Sequence, residues 1–270
     1  MRDVFFLTCG RMGAGGAPSV TNTIAVATRD GGDLVLVDVG WGRATCRDPA
    51  RTIGWLRTRS LGLRVREEDS IRSQLEALGL DPARVKIIVA THLHLDHVGG
   101  VEDFPNAEVF ISERELDLYR REPKRYGYRA KDLARAGRIR SVVLDAGPTY
   151  GFPASADLAG DGEVVLLDAR GHTVGSVAVA LRTPSRTYVH VGDAVYEQWE
   201  YGLARKGPSL LARVGAWNLG ELRRTYGFLR ACEADPRRPQ IVPSHDAKVF
   251  DRLPHAPSAS ARPAQAVLPG

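Results

Sequence analysis

The sequence predicts an α+β fold in which two β-sheets face each other and helices lie outside them. Three observations lead there. Strand-like segments fall into two clusters, each cluster has helical segments beside it, and no linker separates the two. Of the 270 residues, 43% are hydrophobic and 26% charged, which supports a large core and argues against disorder over most of the chain.

The first cluster begins with 21–28 (TNTIAVAT) and 34–40 (LVLVDVG), which alternate or run apolar. Arg29-Asp30-Gly31-Gly32-Asp33 between them supplies turn chemistry. Residues 46–68 read as a polar, Arg-rich connection with no clear period. Ser70 then stands as the N-cap of a helix carrying Ile71, Leu75 and Leu78, stopped by Gly79. KIIVA (86–90) is a short buried strand that ends at THLHLDHVGG, and AEVFIS (107–112) is the next strand. Residues 113–140 read as an Arg-rich helix broken near Pro123 and Gly127.

The second cluster comprises 141–145 (SVVLD), 163–168 (EVVLLD), 176–182 (SVAVALR) and 187–193 (TYVHVGD). Residues 195–235 read as mainly helical with aromatics interleaved, and QIVPSHD (240–246) is the last strand and turn. The expectation is one domain over 1–253 and a Pro/Ala-rich, disordered tail over 254–270.

The bulk numbers narrow the function. A net charge of +5 and a pI near 9.3 invite a nucleic-acid partner, but 32 acidic residues stand against 37 basic ones, so no such partner is expected. Cys9, Cys46 and Cys232 are scattered, odd in number and without a CxxC, which suits a reducing compartment. The apolar run in MRDVFFLTCG is too short for a signal peptide, and no run of about 18 apolar residues spans a membrane. A soluble cytoplasmic protein, monomer or homodimer, is the expectation. Gly10-Arg11-Met12-Gly13-Ala14-Gly15-Gly16 lacks the Gly-Lys-Ser/Thr of a phosphate loop and reads as a plain loop, and no Gly-x-Ser-x-Gly supports a serine hydrolase.

The informative segment is His92-Leu93-His94-Leu95-Asp96-His97. Side chains alternate along extended chain, so His92 and His94 point to one side and share a metal. Asp96 and His97 fall where the chain leaves the strand, facing a second metal. A lone histidine near a strand end is ordinarily packing. Four potential imidazole and carboxylate ligands in six residues are not core filling.

The hexapeptide resembles the HxHxDH signature of the metallo-β-lactamase superfamily, and the resemblance continues in order. Gly171-His172-Thr173 looks like the third histidine motif, Gly192-Asp193 like the bridging-aspartate motif, and Ser244-His245-Asp246 like the final histidine motif. Asp38 in LVLVDVG matches the family's early strand-end aspartate, which supports a ligand without being one. The resemblance implies the four-layer αβ/βα sandwich, with the site at the strand ends between the sheets. It implies that His92, His94 and His172 hold a first divalent metal, that Asp96, His97 and His245 hold a second, and that Asp193 bridges both. Zinc is the leading expectation, with Mn, Fe and Co also accepted by such ligands. His190 reads as a core or supporting residue, and His255 as a solvated tail residue.

Within the superfamily, His94 in place of glutamate argues against the oxygen-reducing diiron branch, and Asp193 against the true β-lactamases. Asp193-Ala194-Val195-Tyr196, together with PSHDAKVF (243–250) and 77–100, is similar to the quorum-quenching N-acyl homoserine lactonases. That likeness implies opening of a lactone ring by a metal-bridging hydroxide, with Asp193 and Asp96 holding it, Asp96 passing the proton to the leaving oxygen, and Tyr196 donating to the substrate. Trp199, Tyr201, Trp217, Tyr226 and Phe228 are candidates for an acyl-chain groove, and 113–140 for a lid. Each competes with plain core packing or a solvated face. Ser176, DVG in the first motif and RATCRDPARTIG (43–54) depart from the lactonase pattern. The alternatives are a phosphotriesterase or other esterase, a phosphodiesterase or nuclease gripping phosphates through its Arg-rich segment, or a non-enzymatic binding module on a degenerate fold.

Overall fold

A computed structural model describes residues 1–13, 19–20, 22–122, 128, 133, 136–202 and 207–256. The strands are β1 Asp3–Thr8, β2 Arg11–Met12, β3 Ser19–Val20, β4 Thr23–Thr28, β5 Leu34–Val37, β6 Val85–Val89, β7 Glu108–Ser112, β8 Arg138–Val142, β9 Ser155–Asp157, β10 Val164–Asp168, β11 Val177–Arg182, β12 Thr187–His190 and β13 Gln240–Val242. One sheet has the order β1-β4-β5-β6-β7-β8 and the other β13-β12-β11-β10-β9, with β2 and β3 a separate ribbon. In the first sheet β1, β4 and β5 are antiparallel, and β5 to β8 run parallel. The second is antiparallel except for the parallel pair β12 and β13.

The strands nearest the middle are apolar on both faces because both faces are covered. All four residues of β5 are buried, as are all five of β10. Val35, Val37 and Val89 from one sheet meet Leu166, Val179, Leu181 and Val242 from the other in a shared core. A second core lies outside the first sheet, where Leu36, Ile88 and Val109 pack on Ile71, Leu75 and Leu116 of the helices Ile71–Ala77 and Glu113–Arg121. A third lies outside the second sheet, where Ala178, Ala180 and Val189 pack on Leu222, Tyr226 and Leu229 of the helix Leu219–Glu233. Helix, sheet, sheet, helix is the predicted four-layer sandwich. Among the described residues no helix is long and apolar enough to cross a membrane.

Several local expectations need correction. Residues 46–68 are not an irregular connection. Three short helices, Arg43–Arg47, Pro49–Ile53 and Trp55–Leu61, occupy most of that stretch, with Asp48 capping the second through its contact with the Arg51 amide. Of the broken helix expected over 113–140, the first part is the 9-residue helix Glu113–Arg121 and Leu133 is also helical, but residues 138–142 form the edge strand β8 in place of the helix end and of a strand at 141–145. The breaks expected near Pro123 and Gly127 lie outside the described residues, as does most of the tail, from 257 onward. Among the described residues of 195–235 the helices are Leu210–Gly215 and Leu219–Glu233, after a 3-10 turn at Gln198–Glu200. β1 and β9 were not foreseen, and Arg11–Met12 pairs with Ser19–Val20 where a plain loop was expected.

Candidate metal centre

The sheets are stitched together where β6 ends. The amide of Val177 donates to the Thr91 carbonyl and that of Thr23 to the Ser244 carbonyl, at 2.9 and 2.7 Å. Everything chemically conspicuous in the sequence converges on this seam. His92 and His94 leave β6 in extended chain, while Asp96 and His97 lie on the short helix Leu95–Val98. His172 sits in the turn between β10 and β11, Asp193 in the 3-10 turn Gly192–Ala194 after β12, and His245 after β13. Gly192 has φ +52°, and a Cβ there would lie 2.7 Å from Thr91 Oγ1, so only glycine lets this turn press against the first motif.

All seven predicted residues come together, in two groups. In each group the donor atoms lie within 4.8 Å of one another: His92, His94, His172 and Asp193 in one, Asp96, His97 and His245 in the other. Asp193 faces both. Its Oδ2 is 3.4 Å from His172 Nε2, while its Oδ1 is 3.1 Å from His97 Nε2 and 3.0 Å from His245 Nε2. Asp96 Oδ2 stands farther out, 3.7 Å from His245 Nε2 and 3.8 Å from His97 Nε2, with 18% of its side chain exposed.

The electrostatics are those of a cluster built to share a cation. Burial, with His97, His94 and His172 around it, pushes His92 well below its ordinary pKa. Burial likewise pulls His172 down to about 3 against the opposing charge of Asp193. At His97 burial favours the neutral ring too, but Asp193, Asp38 and Asp96 outweigh it and hold the ring well above its usual value. Burial would raise Asp193, and His245 with His97 drive it well below instead. His92 Nε2, His97 Nε2 and Asp193 Oδ1 are buried without a hydrogen bond of acceptable geometry. His97 Nε2 and Asp193 Oδ1 thus stand 3.1 Å apart without a well-aligned hydrogen bond between them. An unsatisfied buried polar atom costs roughly 1–3 kcal/mol. Neutral imidazole nitrogens and carboxylate oxygens aimed at common points fit divalent ions, which would satisfy all three orphans.

Asp38, at φ +60° just beyond β5, accepts from the Thr91 amide and hydroxyl at 2.8 and 2.9 Å and contacts His97 Nδ1 at 2.8 Å. It thereby orients His97 with Nε2 toward the centre. Tyr196 leans over the seam, its ring centroid 5.9 Å from that of His172 and 5.6 Å from that of His245. Its amide is held by Glu200 Oε2 at 2.9 Å. A Cβ on Gly215 would lie 2.8 Å from the Tyr196 hydroxyl, so the helix Leu210–Gly215 closes directly over it.

His190 is a core residue, its Nε2 donating to the Thr23 carbonyl at 2.5 Å. His255 is exposed, with its ring against Phe250. The aromatics expected along an acyl groove divide: Tyr201 and Tyr226 are buried in the outer core and Phe228 packs on it, whereas Trp199 and Trp217 are 38% exposed. Sequence reasoning missed Glu115 and Glu200, both 1% exposed. Each looks in the sequence like an ordinary acid near the start of a helical turn, and no spacing distinguishes it.

The profile of the metallo-beta-lactamase superfamily matches residues 16–245. The chain belongs to that superfamily. Among its relatives in the superfamily is a probable metallo-hydrolase of Mycobacterium tuberculosis, 36% identical over 199 residues that make up 72% of this chain. The chain spans 63% of the length of that relative. An N-acyl homoserine lactonase of Rhizobium johnstonii is 34% identical over 190 residues, covering 68% of this chain and 66% of the relative. A solved N-acyl homoserine lactone hydrolase, with the product N-hexanoyl-L-homoserine at its catalytic metal centre, superposes with a TM-score of 0.74 at 17% identity. That match covers 94% of this chain and 97% of the other and establishes the shared metallo-β-lactamase fold.

Proposed function

We propose that the chain is a metal-dependent hydrolase that opens a lactone ring, of the N-acyl homoserine lactone type, at a centre of two divalent ions, zinc foremost. His92, His94 and His172 would hold the first ion and Asp96, His97 and His245 the second, with Asp193, which faces both groups, shared between them. When bound, the ions lower the pKa of water from 15.7 towards ~7 and polarise a carbonyl oxygen. The observation that carries the lactone reading is Tyr196, poised between His172 and His245 with its hydroxyl under Gly215.

Burial raises the Tyr196 pKa well above its ordinary value, and Asp193 and Asp96 add to the shift, so the hydroxyl keeps its proton and donates to the carbonyl oxygen of the substrate. Asp96, the most exposed of the carboxylates, takes the proton released as water adds to the carbonyl carbon and passes it to the ring oxygen as the acyl C–O bond breaks. The product is the ring-opened hydroxy acid. Two relatives' features support the substrate class: the name of the R. johnstonii protein and the ligand bound in the solved hydrolase.

The test is metal content followed by hydrolysis of a long-chain N-acyl homoserine lactone by wild type, Asp193→Ala and Tyr196→Phe. Two ions per chain are expected, with ring opening abolished in the first variant and weakened in the second. Two bound ions with no lactone opened would sink the lactone reading and leave a phosphoester or another ester as the substrate.

A further inference from the structure

Glu115 lies in the first turn of the helix Glu113–Arg121 and touches none of the candidate ligands, yet its carboxylate is 1% exposed and accepts four hydrogen bonds. Oε1 accepts from the Leu93 amide at 3.0 Å and the Tyr128 hydroxyl at 2.8 Å. Oε2 accepts from the Thr173 hydroxyl at 2.7 Å and the Gly175 amide at 3.1 Å. Leu93 is the residue between His92 and His94, and Thr173 follows His172 directly. One carboxylate therefore ties together the two chain segments that supply all three histidines of the first group.

The surroundings are shaped for this tie. Ser112, which caps the helix, donates to the Gly175 carbonyl at 2.5 Å. A Cβ on Gly175 would lie 2.2 Å from the Glu115 amide, so only glycine lets the turn approach this closely. Tyr128, which donates to Glu115, also lies beside the His94 ring, with centroids 5.9 Å apart.

We propose that Glu115 is the positioning residue of the first metal site, setting the spacing of His92 and His94 against His172 through their backbones. This rests on the two-ion reading above. Outer partners of metal ligands contribute about 10- to 100-fold in affinity. Glutamine is the informative replacement because it keeps the volume and loses two acceptor positions. Whichever way its amide turns, the NH₂ faces a backbone amide that can only donate, that of Leu93 or that of Gly175, so one of the two segments is released.

The experiment is metal content of the full chain after dialysis, with stepwise zinc transfer to a competing chelator. Wild type is expected to hold two ions. Glu115→Gln is expected to lose one ion about 10- to 100-fold more readily, with the other unchanged. Thr173→Val, which removes one donor, is expected to show a smaller loss at the same site. In a His245→Ala background, where only the first group is complete, Glu115→Gln is expected to weaken the remaining ion by the same factor of about 10 to 100. Leu229→Ala supplies the control, a core truncation that lowers stability and keeps both ions. Unchanged affinities in Glu115→Gln, or equal loss in Leu229→Ala at matched stability, would overturn the proposal while wild type still holds two ions. A wild type holding fewer than two overturns the two-ion reading itself, and this inference with it.

Discussion

The two halves of the centre are braced by different means. His97 is touched by its supporting acid, with Asp38 Oδ2 at 2.8 Å from Nδ1. Among the described residues no supporting acid contacts the histidines of the other group, and Glu115 reaches them through the backbone and side chain of neighbouring residues. A carboxylate on a ring nitrogen fixes the tautomer and raises the basicity of the ligand. A carboxylate on the intervening amides fixes only where the rings stand. The first device tunes a ligand and the second tunes a distance.

That contrast breaks most completely at the residue common to both halves. Asp193→Ala is expected to lose both ions and to lower kcat/KM by a factor on the order of 10³ or more. Retention of two ions and most of the activity would show that Asp193 bridges nothing. Next comes Asp38→Asn, the counterpart of the Glu115 substitution. The ion held by Asp96, His97 and His245 is expected to weaken about 10- to 100-fold while the other stays, read by zinc titration calorimetry. Equal weakening of both ions would mean that the two supports are not separate.

Tyr196→Phe removes a donor from the mouth of the site and touches neither brace. Two ions and an unchanged thermal midpoint are expected, with kcat down by about 10²-fold. A variant with full kcat would return Tyr196 to the role of a packed aromatic.

The smallest effect concerns His190, outside both groups. Burial lowers its pKa, against the pull of Asp38. The native state therefore refuses a proton that the unfolded chain accepts below about pH 6.5, and stability is lost as pH falls through that value. His190→Gln keeps a donor for the Thr23 carbonyl and removes this titration. Its stability relative to wild type is expected to rise between pH 7.5 and pH 5 in denaturant unfolding at each pH. A constant difference across that window would mean that His190 does not titrate on unfolding.

How much of this was legible follows from how each part is encoded. The HLHLDH run was legible because reactive side chains are dense there and lie on consecutive residues. The apolar strands β5, β10 and β11 were legible because burial on both faces leaves continuous hydrophobic text. The helices between residues 43 and 61 were not, since five to seven residues are too few to display a period, and only Thr45 and Cys46 among them are buried. β8 hid for another reason. It is an edge strand whose first four residues are exposed, and Arg138 and Arg140 pair with Glu108 on β7 instead of filling a core. Glu115 carried no signal, because its importance lies in which amides the fold brings to it.

The parallel placement of β13 beside β12, with the Ser244 carbonyl fastened to the Thr23 amide, has a consequence for the order of assembly. Synthesis runs from the N-terminus, and the ribosome releases His92, His94, His172 and Asp193 well before β13. A nascent chain can thus complete the first group while the second still lacks His245. His245 lies just after β13, next to the Ser244 carbonyl that anchors to the other sheet, so closing the second group also adds a stitch between sheets already joined through Val177 and Thr91.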